Sequence, residues 1–174
     1  MKVFTVGHSA RSSNELNALL LEAQVHCLVD VRSIPRSRTN PQFNSDSLRE
    51  SLAAAGIDYI QIAALGGRRG RSKRAPSPNT LWRVEAFRNY ADHAATDTFR
   101  AGLEQLEALS ARQTCAIMCA EALWWRCHRR IIADYLLAAG IEVAHIMGPG
   151  KIESATLTPG ARRMADGTLL YAAD

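Results

Sequence analysis

Lysine is nearly missing from this chain of 174 residues: three lysines stand beside 18 arginines. Arginine presents a planar fork of donors that suits phosphate and carboxylate groups, although a GC-rich coding bias, which the abundant alanine also suggests, is the better account of the excess. Long apolar runs are missing too. None approaches the roughly 18 residues of a membrane span, and the opening Met1–Gly7 reaches a turn too soon to hold a signal peptide's apolar region. A cytoplasmic chain with no membrane partner is therefore expected. Cysteine is scarce, at four residues with no Cys-x-x-Cys pair, and in that compartment the thiols are read as reduced. Two glycine signatures are absent as well. No Gly-x-Gly-x-x-Gly follows the first strand-like segment and no P-loop occurs, which argues against nicotinamide redox and ATP-driven chemistry.

What remains is ordinary globular material, 47% apolar and 22% charged. The length fits one domain, and at this size about 70% of the unfolded surface is buried on folding, so no disulfide or metal staple is required. A net charge of +4 and a pI near 9.1 give a mild basic bias.

Along the chain, strand-like and helix-like segments alternate. Lys2–Val6 reads as a strand, and Ser12 with Glu15 forms a capping box before an amphipathic helix carrying Leu16, Leu19, Leu20 and Ala23. Cys27–Val31 has the continuous apolar character of a buried parallel strand. Ser47 with Glu50 predicts a second capping box, and Gly56 a helix C-cap. Tyr59–Ala63 and Thr114–Cys119 read as strands, with helices at 82–95 and 98–111 between them. A helix over Arg126–Ala139 and a last strand over Ile141–Met147 follow. The pattern predicts one three-layer, Rossmann-like α/β domain with a predominantly parallel sheet. Its expected extent is residues 1–147, with 148–174 as a C-terminal extension packed on the same domain or irregular.

In parallel sheets the ligand site lies at the carboxyl ends of the strands. His8, Ser9 and Arg11 follow the first strand; Arg32, Arg36 and Arg38 follow the second. Cys119 and Glu121 end the fourth, and Cys127, His128 and Arg129 open the next helix. His145 is near the end of the last strand. Cys119 and Cys127 are candidate nucleophiles, because a thiol near a helix N-terminus has a lowered pKa. Glu121 with His128 or His8 is a candidate acid/base pair. Ser9, Arg32, Arg36, Arg38 and Arg129 are candidate anion or substrate binders. A phosphatase loop of the Cys-x5-Arg type fails on spacing, since Trp125 stands six residues after Cys119. Zinc is disfavoured, because adjacent Cys127 and His128 diverge if both are helical. A Cys119–Cys127 redox pair requires a closeness that spacing does not supply. No metal and no cofactor are expected. Arg68, Arg69, Arg71, Lys73 and Arg74 hold five cations in seven positions, a cluster that attracts nucleic-acid phosphate but lacks interleaved aromatics for base stacking. His26 and His93 read as surface residues.

Taken in order, Gly7-His8-Ser9, Asp30-Val31-Arg32 with Pro35 and Ser37, Leu65-Gly66-Gly67, Cys119-x-Glu121, Cys127-His128-Arg129 and His145-Ile146 resemble the bacterial family known as domain of unknown function 488. The resemblance implies an α/β fold with a polar pocket built from those motifs, and no established reaction. The expected function is an intracellular hydrolase or transferase acting on a phosphate-bearing substrate, such as a nucleotide or nucleic acid. The alternative is a non-catalytic nucleic-acid-binding module using residues 68–74.

Overall fold

A computed structural model of the chain describes residues 1–71 and 76–174. In chain order the elements are β1 (Lys2–Gly7), α1 (Ser13–Glu22), β2 (Cys27–Asp30), α2 (Ser45–Ala54), β3 (Asp58–Gln61), α3 (Glu85–Ala94), α4 (Asp97–Ser110), β4 (Cys115–Cys119), α5 (Arg129–Ala138) and β5 (Glu142–Gly148). Three short strands follow: β6 (Lys151–Ser154), β7 (Ala161–Arg163) and β8 (Leu169–Tyr171). The main sheet runs β3-β2-β4-β1-β5-β6, parallel throughout except for β6, which pairs antiparallel with β5. The result is a Rossmann-like, three-layer α/β fold, as the alternating pattern predicts.

Side-chain alternation along the strands makes the two cores. Phe4, Val6, Leu28, Ala116, Met118, Ala144 and Ile146 meet α1 and α2 on one face. Val3, Cys27, Val29, Cys115, Ile117 and Val143 meet α3, α4 and α5 on the other. The same alternation places Thr5, Cys119 and His145 on the second face, nearer the carboxyl edge, where Thr5 is in register with His145 and Gly7 with Cys119. This otherwise apolar face therefore turns polar where it approaches the start of α5.

Local signals explain most boundaries. The first capping box is present, with Glu15 N–H donating to Ser12 Oγ and Ser12 N–H to Glu15 Oε1, both at 3.1 Å. The second is not: α2 starts two residues before Ser47, behind Asn44. Asn44 does not cap it either, because its Oδ1 accepts from Ser37 N at 2.8 Å and ties the preceding loop. The predicted helix at 82–95 begins only at Glu85, and Trp82 is buried in the core ahead of it. The segment over 126–139 is a 3-10 turn, Trp124–Arg126, followed by α5 proper. His93 is half-buried rather than a surface residue, its Nε2 2.8 Å from the Ala64 carbonyl. The β5 strand is not the last, since the β7–β8 hairpin buries Leu169 and Tyr171, and the Tyr171 hydroxyl donates to buried Asp134 at 2.9 Å. Among the described residues no helix is long and apolar enough to cross a membrane.

Candidate functional site

The carboxyl ends of β2 and β4 and the start of α5 enclose a cleft of about 380 Å³. Its floor holds Cys119, Cys127, His128 and Arg32; Phe87 and Tyr90 of α3 form an apolar wall; Arg36, Arg68, Arg126 and Glu121 supply charge. Glycines permit the close approaches. A side chain at Gly7 would collide with the backbone of Glu121 and Ala122, and one at Gly67 with the His128 ring. The Gly7-His8-Ser9 and Leu65-Gly66-Gly67 segments thus have a steric reason for glycine.

Cys127 and His128 are adjacent yet do not diverge. Cys127 is extended, at φ −127° and ψ 151°, just ahead of the helix, and His128 is the N-cap residue. Cys127 Sγ accordingly lies 3.4 Å from His128 Nδ1. The other ring nitrogen, His128 Nε2, is 2.8 Å from the Val31 carbonyl oxygen. A carbonyl only accepts, so Nε2 carries the hydrogen and Nδ1 is left to take the thiol proton. A sulfur, an imidazole and an orienting acceptor in this order make an activated-nucleophile arrangement. The first amide of α5 joins in, as Arg129 N–H donates to Cys127 Sγ at 3.5 Å. The helix N-terminus is therefore occupied by the chain's own sulfur.

Arg129 is 1% exposed and has no carboxylate partner among the described residues. Its Nε donates to Cys119 Sγ at 3.0 Å, Nη1 to Thr5 Oγ1 at 3.0 Å, and Nη2 to the Glu121 carbonyl at 2.6 Å. An isolated buried cation is costly, and the two sulfurs are what can balance it. Burial opposes ionisation of Cys127, but a hydrogen bond from Cys119, the His128 imidazole and the Arg129 guanidinium outweigh it and hold that thiol well below its ordinary value. Burial, together with a hydrogen bond to Cys127, pushes Cys119 well up, so Cys127 is the thiol of the pair that ionises more readily. Burial works against the charge on Arg129 too, and the two sulfurs more than offset it.

Arg32 is bound differently. Its Nε and Nη2 fork onto Asp30 at 2.9 and 2.7 Å, and Nη2 also donates to the Phe43 carbonyl. Tyr59 donates to the same carboxylate at 2.6 Å. Most of the Arg32 charge is thereby neutralised inside the protein. His8, stacked on Phe43, has Nδ1 2.8 Å from the Ser9 carbonyl, which fixes the hydrogen there, and Nε2 3.3 Å from Arg32 Nη1. Both its nitrogens are engaged, and burial, with Arg32, lowers its pKa against the opposing Ser9 carbonyl.

The other sequence candidates divide cleanly. Arg36 and Arg68 are exposed and line the cleft, while Arg38 and Ser9 do not; Ser9 sits in the left-handed region at φ 48°, its N–H bonded to Ala120. The Glu121 carboxylate accepts from Leu123 N at 3.1 Å and bonds neither imidazole. Of the basic stretch, Arg69 folds back onto the carbonyls of Gly66 and Ala63, and Arg71 pairs with Glu85 at 3.1 Å. Lys73 and Arg74 lie outside the described residues. Among the described residues no group of three or more His, Cys, Asp or Glu side chains is placed to hold a metal ion. Phe87 and Tyr90 were missed as cleft residues: their spacing of three on α3 signals an apolar helix face, with nothing to say that part of it lines an opening.

His145 takes no part in the cleft. It is 2% exposed, its Nδ1 2.7 Å from Thr5 Oγ1 and its ring stacked on Trp124 at 4.4 Å. The polar chain thus runs from the cleft sulfurs through Arg129 and Thr5 to a buried imidazole.

No curated protein and no solved structure gives a significant match to the chain. A family model described as domain of unknown function DUF488 matches residues 12–136. That span takes in Arg32, Gly66-Gly67, Cys119, Glu121 and Cys127-His128-Arg129, and leaves Gly7-His8-Ser9 and His145 outside it. With nearly three quarters of its length inside the match, the chain belongs to the DUF488 family.

Proposed function

We propose that the protein is a thiol-dependent hydrolase or transferase acting on a phosphate-bearing substrate, with Cys127 as nucleophile. The observation that carries the reading is the Cys127 sulfur itself. It lies on a cleft floor 3.4 Å from an imidazole held by the Val31 carbonyl, with a helix amide and a buried guanidinium beside it. In this reading the Cys127 thiolate attacks the substrate's electrophilic centre. His128, having taken the thiol proton, returns it to the leaving group. Water or an acceptor then releases the covalent intermediate. Arg36, Arg68 and Arg126 suit the anionic end of the substrate, and Phe87 and Tyr90 an apolar or aromatic part. The binding role first read for Arg129 becomes support of the sulfurs, because its donors are consumed inside the protein. Nucleic-acid docking through residues 68–74 is the weaker reading, since Arg69 and Arg71 already have partners.

The test is alkylation of Cys127 by iodoacetamide as a function of pH, with inorganic phosphate or a nucleoside monophosphate as protectant. A rate near its plateau at neutral pH, slowed by either anion, is expected. Changing Arg36, Arg68 and Arg126 together to Ser should remove the protection and leave the unprotected rate unchanged. A Cys127 that alkylates only at alkaline pH, or full-speed alkylation in saturating phosphate, would overturn the nucleophile and the anion site respectively.

A further inference from the structure

The proposed chemistry uses one sulfur of the cleft and leaves the second without a part. Cys119 is the last residue of β4, pinned by its pairing with Gly7 and by His8 N–H donating to its carbonyl at 2.9 Å. Its side chain lines the same cleft as Cys127, and its thiol donates to the Glu121 carbonyl at 3.5 Å. Arg129 bridges the two, through Nε to Cys119 Sγ at 3.0 Å and through its amide to Cys127 Sγ at 3.5 Å. Cys127 lies between a 3-10 turn and α5 rather than inside a helix, so its sulfur can close on Cys119 by adjusting one turn. The remaining cysteines cannot substitute. Cys115 lies four residues earlier on β4, about 13 Å away at the usual strand rise, and Cys27 pairs beside it.

We propose that Cys119 is the resolving thiol of Cys127, so that the cleft reduces hydrogen peroxide through a Cys119–Cys127 disulfide. The proposal rests on Cys127 being the reactive thiolate. The Cys127 sulfur attacks one peroxide oxygen and the O–O bond breaks. The hydroxide that leaves takes a proton from His128, giving water. Sulfur has lost two electrons and stands as the sulfenic acid. The Cys119 sulfur then attacks Cys127 Sγ, with Arg129 Nε–H supporting it as its proton departs. The S–O bond breaks, and the hydroxide leaves with the Cys119 proton as a second water. An external small dithiol supplies two electrons and two protons to reopen the disulfide. The sum is one peroxide and one dithiol converted to two waters and one disulfide. A neighbouring thiol that intercepts the sulfenic acid also keeps Cys127 from the irreversible sulfinic state.

The experiment treats the full chain, fully reduced, with hydrogen peroxide, then traps free thiols with N-ethylmaleimide and sulfenic acid with dimedone before peptide mass analysis. Wild type should show a Cys119–Cys127 disulfide, with Cys27 and Cys115 trapped as free thiols and no dimedone adduct. Dithiothreitol should return both cleft thiols. In Cys119→Ser, and in Cys119→Ala should the serine variant misfold, Cys127 should carry dimedone and proceed to sulfinic acid at higher peroxide. Dimedone on wild-type Cys127 with Cys119 still free would overturn the proposal. Reduced protein assayed in parallel with iodoacetamide separates the two readings. Reactive Cys127 without disulfide formation sinks the resolving role alone, whereas a Cys127 inert to both reagents sinks the nucleophile as well.

Discussion

Two pairs of cysteines sit at opposite ends of the same sheet and differ in almost everything but the sulfur. Cys27 and Cys115 face each other in register at the amino ends of β2 and β4, both fully buried in the apolar core. Their shared hydrogen bond, with burial, drives Cys27 far up, and the same bond draws Cys115 down to about 7 against burial. Among the described residues no cation is hydrogen-bonded to either sulfur. Cys119 and Cys127, also buried, meet a guanidinium, an imidazole and the first amide of a helix. Proton sharing splits both pairs, and only the second has a countercharge built beside the sulfur that ionises more readily. The difference follows from topology, because a helix starts at the carboxyl end of a parallel strand and brings its amides and first residues there.

Removing the countercharge should break the comparison most severely. Arg129→Met keeps an unbranched stem of similar reach to Nε and deletes the guanidinium with its donors. Thr5 Oγ1, the Glu121 carbonyl and Cys119 Sγ would then lack their buried partner. We expect a loss of about 3 kcal/mol, roughly 6–12 °C in Tm, measured by urea and thermal unfolding. The alkylation midpoint of Cys127 should climb above the ordinary thiol range, making the two pairs alike. An unchanged midpoint would show that His128 and the helix amide suffice.

The polar edge should also be the acid-sensitive one. Burial, assisted by the Arg129 charge, lowers His145 from 6.5 to about 4. Between those values the unfolded chain binds a proton that the folded protein refuses, so stability falls as pH drops from 6.5 towards 4. Between pH 7 and pH 5 the loss from His145 is about 2 kcal/mol, and buried His8 acts in the same direction. Urea unfolding at the two pH values checks this, and His145→Asn should flatten the dependence while Cys115→Ala leaves it intact.

Gly67 offers a subtler cut, because a methyl group there meets the His128 ring, whereas one at Gly70 meets no atom of the described residues. Gly67→Ala should cost about 1–2 kcal/mol by overpacking and slow Cys127 alkylation at neutral pH by displacing the imidazole. Gly70→Ala should do neither. Equal behaviour of the two would mean that the ring can shift without losing its contact with the sulfur.

Legibility in the sequence followed how local each signal is. The Ser12–Glu15 cap, the alternating strands and helices, and the gathering of Arg32, Cys119, Cys127 and His128 at one sheet edge were readable from spacing and from topology. Asn44 was not, because its side chain serves the loop before α2 rather than the helix. The Cys127–His128 contact was hidden by the expectation of a continuous helix over both residues. Arg129 looked like a substrate clamp, since nothing in a sequence tells a buried guanidinium from one facing a cleft. The β7–β8 hairpin was illegible because three-residue strands carry too little periodicity to register.

The smallest effects should come from the inert pair. Cys27→Ala and Cys115→Ala each remove one sulfur from a tightly packed core and leave no charge unpaired, so only contact area and a small void are at stake. A cost of about 1 kcal/mol each is expected, from urea unfolding at neutral pH. The two residues are partners in register, so the double variant should cost less than the sum of the singles if the void is shared. The alkylation profile of Cys127 should be identical in all three variants, because the pairs lie a strand's length apart on β4 with Ile117 between their levels. A shift of that profile on changing Cys27 or Cys115 would mean that the amino edge influences the carboxyl edge through the strand. The contrast between a packing thiol and a reactive one would then no longer be a matter of local surroundings.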